Sequence, residues 1–357
     1  MIIATGSKQE RQKRKKRNSQ GFLINNGDHM IYIYHIRPLS SFHIGFEGIG
    51  QERLDESFRS DALFGALLQC WQVLYDDNLE DIITEGPFSI SSCFPVVKGQ
   101  RFYPVPIGSL DRILKQVKGS DFKKWKKIRY ISEPIFQKIL NGNLTLCCMP
   151  EGKFLVEQPV QDISYASDLE TPRIAIDPLT GTVMEGAFFY CINRFFAQDS
   201  GLFFLARFKN AETMEKFEAS LRLLGDTGIG GDRSIGRGAF VFSRHDFILN
   251  LPNEADCWVT LSLYHPTQEE VTNGILQVSL YNFVKRHGFV TGIGARALRR
   301  QSVFMLEEGS VFFKKLSPVG DNPIVLRKGN GNCPFNVFRY GKAFCLPMKG
   351  GCFEYDT

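Results

Sequence analysis

The hydrophobic pattern of the chain names its elements in order. Ile31-Tyr32-Ile33-Tyr34-His35-Ile36-Arg37 is a β-branched and aromatic run closed by Pro38, which predicts a strand. Leu63, Leu67, Cys70 and Leu74 then recur at helical steps and form one apolar face. Ser60 is expected at the N-cap of that helix, with Asp61 in the first turn, where a carboxylate favours the helix dipole. Phe88 to Phe94 reads as the next strand and Leu202 to Phe208 as another. Met214, Phe217, Leu221 and Leu224 predict a second helix, capped by Asn210 and stopped at Gly225. Ala239-Phe240-Val241-Phe242 closes the set as a buried strand.

Strand, helix, strand, repeated once, is the ferredoxin-like or RRM-like arrangement. The stretch from about 98 to 200 is too long for a hairpin turn and reads as an insertion. After residue 248 the pattern turns to strands at 257–264, 275–283, 302–306 and 344–347, with one short helix at 268–273. The expected class is therefore α+β: two ferredoxin-like domains over 29–248 and 249–357, the second β-rich, with a thumb-like insertion in the first.

Composition sharpens this reading. The 357 residues include 31 phenylalanines and are 43% hydrophobic, enough for a folded core. No apolar run reaches the roughly 18 residues of a membrane helix. Met1-Ile2-Ile3-Ala4 is too short for the apolar core of a signal peptide. The nine cysteines contain no C-x-x-C spacing, so reduced thiols in a cytoplasmic protein are expected. The net charge is +5, but Lys8, Arg11, Lys13, Arg14, Lys15, Lys16 and Arg17 against Glu10 put +6 into the first twenty residues. Subtracting that leaves −1, so 1–28 reads as a basic flexible arm on a nearly neutral body. Any polyanion site on the body must be a local patch.

The strongest local signal is the stretch from Gly225 to Gly238, with six glycines, two arginines and a serine. It lies between a helix and a strand, whereas a dinucleotide-binding turn runs from strand to helix and needs G-x-G-x-x-G. A Walker A loop also fails, because Gly231 to Gly236 continues as Arg237-Gly238. An extended polyanion lying across the loop fits better. A second basic run, Lys123-Lys124-Trp125-Lys126-Lys127-Ile128-Arg129-Tyr130, fits phosphate contact with base stacking, or equally a solvated face anchored by Trp125.

Seven segments, in order, carry a family likeness. They are 42–45 with Phe42-His43-Ile44-Gly45; 59–64 with Arg59-Ser60-Asp61; 127–132 with Leu140-Asn141-Gly142; 171–177 with Thr171-Pro172-Arg173; the glycine loop; 299–310; and 337–344. Together they resemble the subunit-four proteins of type III-A CRISPR effectors, the Csm complex. The resemblance implies two ferredoxin-like domains, a thumb hairpin and no catalytic role or cofactor. It implies partners too: the 5′ tag of the CRISPR RNA, target RNA near the tag boundary, the large polymerase-like subunit and a backbone subunit, with no membrane. The basic arm departs from the family pattern, and Pro178 stands where the family often has arginine.

Single-stranded RNA is held by amides and guanidinium groups on phosphates. Gly228, Gly230, Gly231, Ser234 and Gly236 are expected to donate from the backbone, and Arg233 and Arg237 from side chains. His43 and Gly45 join them. The helix start at Ser60, beside Arg59, is an expected anion site. Arg173 is expected to support the thumb, and Arg296, Arg300 and Arg339 complete the RNA-binding set. Three alternatives stay open. His43 could act as acid or base in an endoribonuclease that processes repeat RNA. Asp55 or Glu56 could hold a metal for target cleavage, and the type III-B counterpart subunit fills the same capping place. His245-Asp246 has no companion metal ligands in spacing, and no Gly-Gly-Asp-Asp motif occurs.

Overall fold

The computed structural model describes residues 30–45, 54–55, 58–116, 122–143, 148–159, 164–277, 279–292, 295–313 and 317–350. The expected basic arm and Glu56 lie outside the described residues, as does the side chain of Arg296. In the first half, β1 (Met30–Pro38) leads to α1 (Ser60–Leu74), α2 (Leu79–Glu85), β2 (Phe88–Ile90) and β3 (Phe94–Val97). Next come β4 (Gln100–Pro104), α3 (Ser109–Gln116), α4 (Phe122–Trp125), β5 (Tyr130–Ser132) and α5 (Glu133–Leu140). β6 (Met149–Glu151) and β7 (Phe154–Val156) precede a long ribbon of β8 (Ala166–Ile176) and β9 (Val183–Phe196). β10 (Ser200–Phe208), α6 (Ala211–Thr227) and β11 (Phe240–Asp246) close this half.

These strands form a sheet in the order β11-β1-β10-β3-β4-β5-β7-β6, with β2 also on β10; only the β5–β7 pair is parallel. The class is α+β around this large sheet. Alternation along β1 decides which side chains meet the helices. Tyr34 stacks on Phe204 at 5.3 Å and approaches Phe217 of α6 at 5.5 Å. His35 points to the opposite face, 6.2 Å from Phe203 and 4.4 Å from the ring of His245.

The second half contributes β12 (Cys257–Thr260), α7 (Gln268–Thr272), β13 (Ser279–Leu280), β14 (Phe283–Arg286), β15 (Phe289–Gly292), β16 (Ala295–Arg299), β17 (Val303–Leu306), β18 (Val311–Phe312), β19 (Ile324–Leu326), β20 (Val337–Phe338) and β21 (Cys345–Met348). Four of them form a sheet in the order β13-β18-β12-β21. One hydrophobic core runs through both halves, joining Leu67, Phe88 and Phe217 to Val259, Leu261, Phe344 and Leu346.

Several boundaries differ from the sequence pattern, each for a local reason. α6 runs through Gly225 to Thr227, and a Cβ at Gly225 would sit 2.5 Å from the Phe240 carbonyl of the adjacent strand. Close packing, not helix termination, requires that glycine. The 88–94 strand breaks after Ile90, where Ser92 and Cys93 donate to the carbonyls of Leu261 and Phe58 instead of continuing the ladder. The expected 275–283 strand shrinks to β13, since Ile275 and Gln277 form the turn that leaves α7. Ser60 is the first residue of α1, and the N-cap is Arg59.

Candidate nucleic-acid interface

The glycine loop is stitched to the exit of β1. Gly228 caps α6 by donating to the Leu224 carbonyl at 2.9 Å. Gly231 donates to the His43 carbonyl at 2.8 Å and Gly238 to that of Ser41 at 3.0 Å. The Arg237 guanidinium reaches the Ser41 hydroxyl at 3.2 Å. A Cβ at Gly231 would lie 2.6 Å from Cδ2 of His43, so this glycine is set by the imidazole beneath it. The amides of Gly228, Gly231 and Gly236 are thus spent inside the protein, contrary to their expected role as outward donors.

What faces outward is the short turn Arg233–Ile235 with Gly236, all exposed. Asp232 enters it with a left-handed backbone, φ 61°, and Arg233 follows in helical geometry. Such a reversal presents successive N–H groups toward one point, a geometry suited to anions. The amides of Arg233 and Ser234 meet no acceptor among the described residues. Gly236 has φ 80° and open space where a side chain would be.

Asp232, which the sequence analysis did not single out, ties the ribbon to the loop. It pairs with Arg173 of β8 at 2.8 Å and stands 3.9 Å from Nε of Arg237. The Cys191 thiol of β9 donates to it at 3.4 Å. His43 is buried, and its Nδ1–H donates to the Ile192 carbonyl of β9 at 2.7 Å. A Cβ at Gly45 would lie 3.9 Å from Nε2 of the same imidazole. Arg194 of β9 completes the joint with a two-pronged pair to Asp168 and a bond to the Asp55 carbonyl. His43, Gly45, Arg173 and the loop therefore form one constellation, in which Arg173, Arg233 and Arg237 outnumber the single charge of Asp232. The loop's glycines and arginines were the sequence signal for this place, and the acid that Arg233 follows, Asp232, is the signal that could have completed it.

Arg59, Ser60 and Arg339 serve a different cluster, at the seam between the halves. Arg59 bonds Asp55 at 3.1 Å, Glu308 at 3.0 Å and Glu307 at 3.3 Å. Burial works against its charge, but Glu308, Asp55 and Glu307 outweigh that and raise its pKa. The Ser60 amide donates to the Ser92 hydroxyl at 2.8 Å, and its own hydroxyl accepts from Leu263 at 3.0 Å. Asp61 takes Arg286 at 3.0 Å and also Arg339, which is itself buried. Burial pushes the Asp61 carboxyl up, yet the two guanidinium groups hold it below the usual range. Burial dominates at Glu308, whose carboxyl is raised despite Arg59. Arg300 lines a small cavity beside this cluster.

The helix start at Ser60 is thus filled by internal partners. Asp55 is buried and held by Arg59 and Arg286. In the 123–130 run, Trp125 and Tyr130 are buried core residues while Lys124, Lys126 and Lys127 are exposed, which is the anchored-face reading and not a stacking platform. His245 bonds Ser243 at 2.9 Å.

Residues 35–241 match the model of the RAMP superfamily, and residues 253–348 match that of the CRISPR Csm4 C-terminal domain. The chain belongs to the RAMP superfamily, within its Csm4 group. It is similar to the CRISPR system Cms protein Csm4 of Thermococcus onnurineus (strain NA1), at 26% identity across 82% of this chain and 91% of that protein. The Csm4 protein of Methanocaldococcus jannaschii is 23% identical across 87% of this chain and 95% of its own length. Among solved structures, a chain of the Csm3-Csm4 subcomplex of the type III-A CRISPR-Cas interference complex aligns with TM-score 0.61 and 18% identity, over 89% of this chain and 99% of that one. A chain of a Csm1-Csm4 cassette in complex with pppApA aligns with TM-score 0.59.

The RAMP match spans β1 to β11 and so contains the whole loop–ribbon constellation. The Csm4 match supplies the far side of the seam, including Arg286, Glu307, Glu308 and Arg339.

Proposed function

We propose that this chain is a non-catalytic RNA-binding subunit of a type III-A CRISPR effector complex, which grips the 5′ repeat-derived tag of the CRISPR RNA in the cytoplasm. The observation that carries this reading is the exposed turn Arg233–Gly236, with two amides that meet no acceptor among the described residues and with Arg233 following Asp232, which gathers Arg173 and Arg237. Such a surface suits phosphate oxygens of a single strand. The relatives' structures carry Csm3 and Csm1 in their names. By analogy this chain bridges a Csm1-type large polymerase-like subunit and a Csm3-type backbone subunit, with target RNA passing near the tag boundary.

Both sheets support a ferredoxin-like reading. In chain order within each unit, their strands lie fourth, first, third, second: β11-β1-β10-β3 and β21-β12-β18-β13. The proposed units are 29–248 and 249–357, and the β8–β9 ribbon is the proposed thumb. A cleavage role for His43 has weak geometric support, since the ring is buried under Gly231 with Nδ1 committed to a carbonyl.

The test is RNA binding to the purified complex by anisotropy over a salt series. About five neutralised phosphates give a slope of log K against log salt of roughly −3.5, at about −0.7 per contact. Replacing Arg233 and Arg237 by alanine is expected to bring it to about −2.1 and to lower tag affinity at least ~10-fold, as charged hydrogen bonds contribute about 1.5–3 kcal/mol each. An unchanged slope and affinity would remove the loop from the interface. Metal-free cleavage of repeat RNA that His43→Ala abolishes would replace the binding reading with the enzymatic one.

A further inference from the structure

The seam holds a partly open cavity of about 70 Å³ between the α1–α2 helices and the second half. Phe64, Leu68 and Phe338 line it, together with Asp61, Arg300 and Arg339. Arg339 is 6% exposed and commits its terminal nitrogens to Asp61 and to the His287 carbonyl. Its Nε is shut off from solvent and meets no acceptor among the described residues, and the same is true of Nε of Arg300. Buried N–H groups in proteins find acceptors in the great majority of cases, and charged ones are the most demanding.

The charge count points the same way. Arg286, Arg300 and Arg339 gather around Asp61, which already pairs with two of them; the one further carboxylate that Arg286 reaches, Asp55 at 3.6 Å, is shared with Arg59. Burial disfavours the charge on Arg300, Arg339 and Arg286 add to that, and only Asp61 opposes them. Between apolar walls an uncompensated positive charge is unfavourable, and an anion relieves it. One water needs roughly 10–15 Å³ of such space. The cavity exceeds that several-fold, yet it is far too small for a nucleotide.

We propose that this cavity is a structural anion site, which takes one small inorganic anion between chloride and phosphate in size and ties α1 to the second half through Arg300 and Arg339. The site is separate from the glycine loop, and its role does not depend on RNA.

The experiment uses the full chain without RNA. Thermal unfolding is followed while chloride, or separately phosphate, replaces gluconate at fixed ionic strength, because gluconate is too bulky to enter. The expected result is a saturable rise of at least about 2 °C, absent in Arg300→Met and partly kept in Arg300→Lys. Crystals grown in bromide are expected to show an anomalous peak between Arg300 and Arg339. A rise that does not saturate, or that is equal in Arg300→Met, would overturn the proposal. If Arg300→Met does not fold, the bromide peak decides: bromide bound only elsewhere would also overturn it.

Discussion

Replacing Asp61 by asparagine keeps the shape of the side chain and removes the charge that two arginines share. The Asp61 side chain is 2% exposed and those of Arg339 and Arg286 are 6% and 13% exposed, so water cannot take its place easily. Breaking a buried pair from one side leaves an uncompensated charge and costs about 3–5 kcal/mol. At about 2–4 °C per kcal/mol, the midpoint of thermal unfolding is expected to fall by roughly 6–20 °C. The pH dependence follows from linkage. Asp61 has a folded pKa below its ordinary value of 3.8, so its contribution is present above that value and is lost as pH falls through the depressed folded pKa. The asparagine variant should lack this component of acid destabilisation. Calorimetry on both proteins from neutral pH down to about pH 3 reads both effects. In an Asp61→Asn background, Arg339→Met should cost less than it does alone, since the lone cation is removed. A drop below about 1 kcal/mol, or an unchanged acid profile, would refute the view that this pair holds the seam.

Three further outcomes follow from the geometry. Gly231→Ala pushes a methyl onto the pinned His43 ring and should cost about 1–3 kcal/mol by overpacking; Gly236→Ala meets open space and should cost only the left-handed backbone term of about 1–2 kcal/mol, so denaturant curves together with RNA binding separate fold from contact. His35 is held down to about 4, first by burial and then by His245 and Arg101. Neutral His35 therefore adds stability above its ordinary 6.5 that is lost as pH falls toward 4, and His35→Gln should flatten that window while an NMR titration reads the pKa directly. Ser60→Ala leaves the buried Leu263 amide without its acceptor and should cost about 1–3 kcal/mol, measured by chemical denaturation; a loss of only a few tenths would mean the amide finds another partner.

The long amphipathic elements were legible because burial wrote them into the spacing. β1, α1, α6 and β11 stand where the apolar periods put them. The glycine loop was visible as composition, but its inner logic was not. Nothing in the sequence says that Gly225 makes room for the Phe240 carbonyl and Gly231 for His43, whereas Gly236 faces open space. Arg59 and Arg339 looked like anion readers because a guanidinium has the same signature whether its partner is a phosphate or a buried carboxylate. Arg59 has one near partner, Asp55, but its Glu307 and the Asp61 of Arg339 lie 248 and 278 residues away in sequence, beyond the reach of any local pattern. Asp232 was overlooked for the opposite reason, since its neighbours Arg173 and Cys191 arrive from a ribbon whose docking depends on tertiary structure.

The interior that passes without a break from Phe217 to Leu346 has a mechanical meaning. With Phe64 stacked on Tyr340 at 4.2 Å across the same junction, the two halves have no lubricated plane along which to slide. Any subunit that grasps one half therefore sets the orientation of the other, as a handle sets a blade.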